Sequence, residues 1–293
     1  MDVMKYVVNM ACGLANRMFQ YAYYRFLDKL GYDVAVDYYT SYKLKHEKVG
    51  WLDIFPNAHF KQASRSLVIK LGGGDSILSK VRRRYLPKTT SIDYLETAFT
   101  AREPLSDGRD KYLIGVFQNA SAVMSVNQEI REAFQFRPFE DEVNKHFVDR
   151  IRQYNSVAIH VRKGADYMSR VWYQNTCPVE YYRFAVDYIE KNVDNPKFFV
   201  FADNPQWVRD NFSWLDYTLV DWNPAAGQGS HFDMQLMSLC KHNIISNSTY
   251  SWWSAFLNEN PDKIVVLPHQ WFNLSSCEQS TSEPVQCPGW IAL

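Results

Sequence analysis

Apolar residues recur along this chain in two rhythms that keep alternating. Residues 5–11 ("KYVVNMA") form a short β-branched run of the kind that pairs in a sheet. The next stretch, residues 14–31, places Leu14, Met18, Tyr21, Ala22, Phe26, Leu27 and Leu30 at helical spacing, and Gly31 suits a helix stop. Residues 32–38 ("YDVAVDY") return to strand. Strand, helix, strand is the unit of parallel α/β sheets.

The middle is less regular. "KLGGGDS" (residues 70–76) reads as a flexible break, and residues 111–119 as another strand. Residues 125–136 form an amphipathic helical pattern with Pro138 just beyond, and the polar residues 137–146 read as a boundary. After residue 155 the alternation is plain. Strands are expected at 156–161, 197–203, 217–222, 243–246 and 262–268. Helices are expected at 178–192, 204–212, 231–242 and 248–260. Five strands with intervening helices make a doubly wound parallel sheet, whose ligands bind at the strand carboxyl ends. The fold class expected is α/β, with two Rossmann-like domains facing across a cleft, 1–150 and 151–293.

Composition narrows the partners. The 293 residues are 46% hydrophobic and carry 32 basic and 32 acidic side chains, so the formal net charge is zero. That balance argues against a general nucleic-acid binder. The longest apolar runs, such as residues 264–267, are far short of the roughly 20 residues that a membrane helix needs. The first 17 residues are too short and mixed for a signal peptide, so a cytoplasmic protein is expected. Cys12, Cys177, Cys240, Cys277 and Cys287 are scattered without a CxxC pair, and free thiols are expected. One basic run, residues 80–88 ("KVRRRYLPK"), is either a solvated helix end or a contact for a phosphate or an anionic membrane surface.

Polar residues cluster after the strands of the second half. His160, Arg162, Lys163 and Asp166 follow one strand, Asp203 and Asn204 a second, and Ser246, Asn247, Ser248, Thr249 and Ser251 a third. All fall at one rim of the sheet. His160 and Arg162 alternate along a strand end and so share a face. A guanidinium there holds phosphate oxygens bidentately, or else pairs with Asp166 or Asp203. His160 is either a core histidine or part of the site, and Lys163 should point away into solvent. Ser248 or Thr249 could merely cap the following helix, but the surplus of small donors suits an anion at its positive end. Trp252 and Trp253 should anchor that helix in the core rather than stack on a sugar. Asp233, in a first helical turn, either complements the helix dipole or accepts from a guanine's N1–H and amino group. Gly13, Asn16 and Arg17 occupy the first β–α turn. The dinucleotide GxGxxG, the Walker loop, GxSxG, HExxH and a DxD metal motif are all absent. Phosphate charge is therefore expected to be met by Arg162 and backbone donors, with no metal required.

At these residues the sequence resembles the bacterial-type α-1,2-fucosyltransferases of glycosyltransferase family 11. "CGLANRMFQYAYYRFL" is similar to the family's opening block, and "KYLIGVFQN" to its Y-x-x-G-x-x-Q strand. "HVRKGADY" resembles its H-x-R-R-G-D-Y, and "FVFADNPQWV" its F-S-D-D-x-x-W. The long block "DMQLMSLCKHNIISNSTYSWWSAFLN" is close to the family's own, and the closing "PGWIAL" resembles its end. Ala15 and Arg17 stand where the family usually has Gly and Gln. Ala165 is an added residue that displaces Asp166, and Asn204 replaces an Asp.

The resemblance implies a GT-B fold and inverting transfer of L-fucose from GDP-β-L-fucose to O2 of a terminal galactose, without a metal or other cofactor. It implies that Arg162 binds the β-phosphate and steadies departing GDP. His160 would contact the ribose or guanine side, Asp233 the guanine, and Ser248, Thr249 and Ser251 the phosphates. Asn16 would face the donor from the N-terminal domain, which would carry most of the acceptor site. Asp203, Ser246 and Asn247 complete the expected donor set, and Asp166 is the candidate general base. The acceptor expected is a galactose-terminated oligosaccharide; were it lipid-linked, the enzyme would also touch the inner membrane. Another nucleotide-sugar donor, or a non-catalytic glycan-binding protein, is the alternative.

Overall fold

The structure is a computed structural model and describes residues 5–38, 50–74, 77–85, 90–93, 109–273 and 281–293. The chain divides into two compact units, Met1–Gln135 and Phe136–Leu293. Each is built on its own parallel sheet.

In the first unit, β1 (Lys5–Asn9), β2 (Asp33–Asp37), β3 (Thr90–Asp93) and β4 (Lys111–Gly115) run parallel in the order β2-β1-β4-β3. The helix Leu14–Lys29 follows Gly13 and ends where Gly31 takes a φ of +87°, as its sequence predicts. The expected helix at 125–136 is two shorter ones, Ala120–Ser125 and Asn127–Ala133, hinged at Val126. β3 has no apolar pattern beyond Ile92 and was not anticipated.

The triple glycine is not a loose break. Val68, Leu71 and Tyr112 are buried in one cluster, and Gly73 lies against the Tyr112 ring. A Cβ on Gly73 would fall 2.4 Å from Tyr112 Cε2. The glycine lets the chain approach that ring.

The second unit contains β5 (Asn155–Val161), β6 (Pro196–Ala202), β7 (Tyr217–Val220), β8 (His242–Ile244), β9 (Val265–Leu267) and β10 (Ile291–Ala292), all parallel. The order β7-β6-β5-β8-β9-β10 is the Rossmann order 3-2-1-4-5-6. The sixth strand is two residues of the C-terminal "WIAL", too short to read from sequence. Side chains alternate between two cores. Val157, Ile159, Val161, Phe198 and Val200 pack with the helix Val179–Asn192 on one face. Ala158, Phe199 and Phe201 pack with Phe147, Ile151 and Leu236 on the other.

That second core moves the expected boundary. The division falls at 135/136 rather than 150/151, because the helix Glu142–Gln153 covers the second sheet through Phe147, Val148 and Ile151. Asp141 caps it, accepting from Asn144 N at 2.8 Å.

Candidate active site

In the Rossmann order the chain winds outward from β5 one way and from β8 the other. The crevice between their carboxyl ends is the switch point, where ligands of such sheets sit. β5 delivers His160, Arg162 and Lys163 there, and β8 delivers Ser246–Thr249.

Arg162 is held. Its Nη1 lies 2.8 Å from Asp203 Oδ2, with about a third of the arginine side chain exposed. Asp203, just past β6, also accepts from the backbone N–H of Lys163 (2.7 Å) and of Gly164 (2.8 Å). Its two oxygens thus fix the turn that carries Arg162. Asp203, expected on the donor, is the residue that positions this turn and its arginine. Asn204 caps the helix Pro205–Asn211 by accepting from Trp207 N, as an Asp there also would. Lys163 is not solvated: it is buried, with its ammonium 5.3 Å from the Trp207 ring centroid, and burial lowers its pKa.

His160 is buried, and its Nδ1 lies 2.8 Å from Ser246 Oγ. Burial, with the nearby Arg162 charge, pulls its pKa down to about 3. It is therefore a neutral imidazole at physiological pH, and it adds no repulsion to the arginine. Asp166 lies in the short helix Ala165–Met168; its side chain is outside the described residues.

The turn after β8 divides into an inner and an outer half. Ser246 is fully buried against His160. Asn247 also turns inward: its Oδ1 accepts from Tyr167 Oη and, at 3.4 Å, from Cys177 Sγ, while Nδ2 donates to Trp271 O at 2.9 Å. Ser251 is buried, and its hydroxyl donates to Ser248 O at 3.2 Å. The side chains of Asn247 and Ser251, expected on the donor, instead tie the turn to the core. Ser248 and Thr249 form the outer half. Ser248 is the N-cap of the helix Thr249–Leu257, yet its hydroxyl makes no capping bond. Capping therefore does not account for it, and the first turn keeps N–H groups and a hydroxyl for an anion. Trp252 and Trp253 are fully buried, and Trp252 Nε1 donates to Val285 O at 2.6 Å.

A polar corner opens the helix Phe232–Leu239. Asp233 Oδ1 accepts from Asn223 Nδ2 at 2.8 Å, and burial lifts its pKa to about 6 despite that bond. Asn223 pairs with Asn144, so the corner is tied to the capped helix at Asp141. Beside Asp233 in sequence, His231 Nδ1 and Gln235 Oε1 are buried without hydrogen-bond partners. Tyr250 links the corner to the switch point: its hydroxyl accepts from Met234 N and donates to Ser230 O, and its ring centroid is 5.8 Å from that of His160. Tyr167, Tyr250, Asn223 and Asn144 were not anticipated; only the tertiary fold brings them to the site.

In the first unit, Asn16 Oδ1 accepts from Gln118 Nε2 at 3.2 Å at the carboxyl rim of β1 and β4. Gln20 bridges the same rim, accepting from Ala11 N and donating to Gly115 O. Arg17 is buried and donates to Tyr38 Oη at 3.0 Å. Cys12, Cys177 and Cys240 are free thiols, and Cys277 lies outside the described residues.

A sequence profile of glycosyl transferase family 11 matches residues 2–293. The chain belongs to glycosyl transferase family 11. Among its relatives is the O-antigen biosynthesis glycosyltransferase WbnK of Escherichia coli, 33% identical over 223 residues, which are 73% of this chain and 69% of that one. An alpha-1,2-colitosyltransferase of Escherichia coli is 32% identical over 185 residues, 61% of each chain. The fold is similar to that of the fucosyltransferase NodZ from Bradyrhizobium, with a TM-score of 0.50 at 15% identity, over 87% of this chain and 92% of that one. This family 11 chain is a glycosyltransferase of the GT-B class, with two Rossmann-like units. Among the described residues no helix is long and apolar enough to cross a membrane.

Proposed function

We propose that this glycosyltransferase moves L-fucose from GDP-β-L-fucose to O2 of a terminal galactose with inversion, and needs no metal to do so. The observation that carries this reading is the switch point: a fixed arginine follows β5, and an uncapped helix N-terminus with a spare hydroxyl follows β8. A departing diphosphate needs this pairing of charge and dipole.

Breaking the C1–O bond places negative charge on GDP and positive charge on the sugar ring. Arg162, with Ser248 and Thr249 at the helix start, stabilises the anion. One such preorganised donor is typically worth about 3–4 kcal/mol. His160 and Ser246 hold the turns rather than move a proton, because His160 stays neutral and buried. Asp233 accepts from the guanine, and His231 and Gln235 offer further polar atoms beside it. Asp166 is the candidate base for the galactose hydroxyl, and a dissociative transition state would ask little of it. The first unit, with Asn16 at its rim, carries the acceptor. That acceptor is a galactose-terminated oligosaccharide, and the setting is cytoplasmic.

A second reading keeps the chemistry and changes the sugar. The colitosyltransferase among the relatives favours it, since colitose is 3-deoxy-L-fucose. The test is a panel of nucleotide sugars with a β-galactoside acceptor, read by nucleotide release and by NMR of the product linkage. Transfer from GDP-fucose to O2, undiminished by EDTA, is the result expected. Transfer from GDP-colitose alone would select the second reading. Activity lost to EDTA and restored by a divalent ion would overturn the metal-free mechanism.

A further inference from the structure

The basic run begins on a helix that faces the wrong way for a globular protein. In the helix Ile77–Tyr85, the polar Ser79 is buried, and Arg82 Nη1 donates to the Ile69 carbonyl at 3.2 Å. The apolar side chains point outward instead: Ile77 is 81% exposed, Leu78 82%, Val81 48% and Tyr85 72%. On a helix of 3.6 residues per turn, these four fall within an arc of about 100°. Single exposed apolar residues are ordinary, but a helix that docks by its polar side and presents one continuous apolar stripe is not.

The flanks of the stripe are basic. The nine residues include Lys80, Arg82, Arg83 and Arg84 and no acid, in a chain whose total formal charge is zero. Lys80 and Arg84 lie on one edge of the arc by helical geometry and Arg82 on the other. An apolar stripe edged by cations matches an interface whose polar layer is anionic and whose next layer is hydrocarbon.

We propose that the helix Ile77–Tyr85 docks this enzyme on an anionic lipid bilayer. Ile77, Leu78, Val81 and Tyr85 enter the headgroup and acyl boundary, while Lys80 and Arg84 lie along the phosphate layer. An acidic protein partner would match the charge but would leave the apolar stripe without a matching layer.

Flotation of the full chain with phosphatidylcholine vesicles, with and without phosphatidylglycerol, tests this. Binding is expected only with the anionic vesicles, and it should weaken as salt rises. The double variants Ile77→Ser/Leu78→Ser and Lys80→Glu/Arg84→Glu should each lower partitioning by at least about tenfold. Both should keep the wild-type melting temperature and full activity on a water-soluble acceptor. No flotation with anionic vesicles, or flotation that both variants retain, overturns the proposal. So does a concentration-dependent dimer lost in the Ile77→Ser/Leu78→Ser variant without any vesicle binding, which would give the stripe to a second copy of the chain.

Discussion

His160 Nδ1 and Ser246 Oγ lie 2.8 Å apart and join the ends of two strands that the chain visits 86 residues apart. This bond closes the base of the switch point between β5 and β8. What is left above it is the fixed Arg162 on one side and the open helix start at Ser248 on the other. The buried histidine and serine form the floor of this crevice, and in the proposed function the partly exposed pair is its working face.

Arg162→Ala should lower kcat/KM for transfer by at least about a hundredfold, because it removes a preorganised cation from the leaving group. The fold should stay intact with a modest fall in melting temperature, since Asp203, 11% exposed, loses its cation but keeps its two backbone donors. Asp203→Ala should hurt both, because two backbone N–H groups lose their acceptor along with the arginine. Steady-state kinetics beside thermal melts separate the two. Near-normal turnover in Arg162→Ala would sink its assigned role.

The alternation of strands and helices in the second unit was readable, because buried parallel strands are nearly continuous apolar runs. So was the rim that gathers His160, Arg162 and Ser246–Thr249. What was not readable was which way each polar side chain turns. Asn247 and Ser248 are neighbours of similar chemistry, yet one is enclosed by Tyr167, Cys177 and Trp271 and the other caps nothing. Lys163 was expected in solvent, but Trp207, from a different helix, covers it. Such outcomes depend on partners distant in sequence. β3 and β10 escaped because strands of four and two residues carry too little pattern.

Asn247→Ala and Ser248→Ala should therefore fail in different ways. The first removes the acceptor of the buried Tyr167 hydroxyl and the amide that donates to the Trp271 carbonyl, and should cost about 1–3 kcal/mol of stability. The second should leave denaturation midpoints unchanged and weaken GDP binding several-fold. Urea unfolding and calorimetry with GDP read the two effects. Equal stability loss in both variants would contradict the division of the turn.

His160 should make the fold acid-sensitive. Its pKa is about 3 when folded and 6.5 in the unfolded chain. Between those values only the unfolded chain carries the proton, so stability falls as pH falls below about 6.5. His231, lowered by burial to about 4, acts in the same direction. Asp233, raised to about 6, opposes them, because there the folded state holds the extra proton. A His160→Gln variant should show a shallower loss of urea midpoint between pH 6.5 and pH 4 than the wild type. Parallel slopes would show that His160 is not the group responsible.

Gly73→Ala should destabilise the first unit despite adding only a methyl group. The new Cβ would meet Tyr112 Cε2 at 2.4 Å and Val68 Cγ1 at 2.7 Å. Tyr112 cannot retreat freely, since it is fully buried and its hydroxyl donates to Asp37 Oδ2 at 2.7 Å. Overpacking of this kind costs about 1–3 kcal/mol. A melting temperature equal to wild type would mean that the chain at Gly73 can shift away from the ring.

Asp233 should make GDP binding pH-dependent. Burial holds its carboxyl at about 6 in the free protein. Only the carboxylate can accept both the N1–H and the amino group of guanine, so bound GDP favours the ionised form. Affinity should be flat above pH 7 and fall about tenfold per unit as pH drops below 6. Asp233→Asn should bind weakly throughout, with that slope removed, because an amide accepts through one oxygen and does not titrate. The GDP phosphates also titrate near pH 6, so the comparison must be made against the variant rather than read from the wild type alone. If wild type and Asp233→Asn lose affinity in parallel as the pH falls, Asp233 does not hold the base.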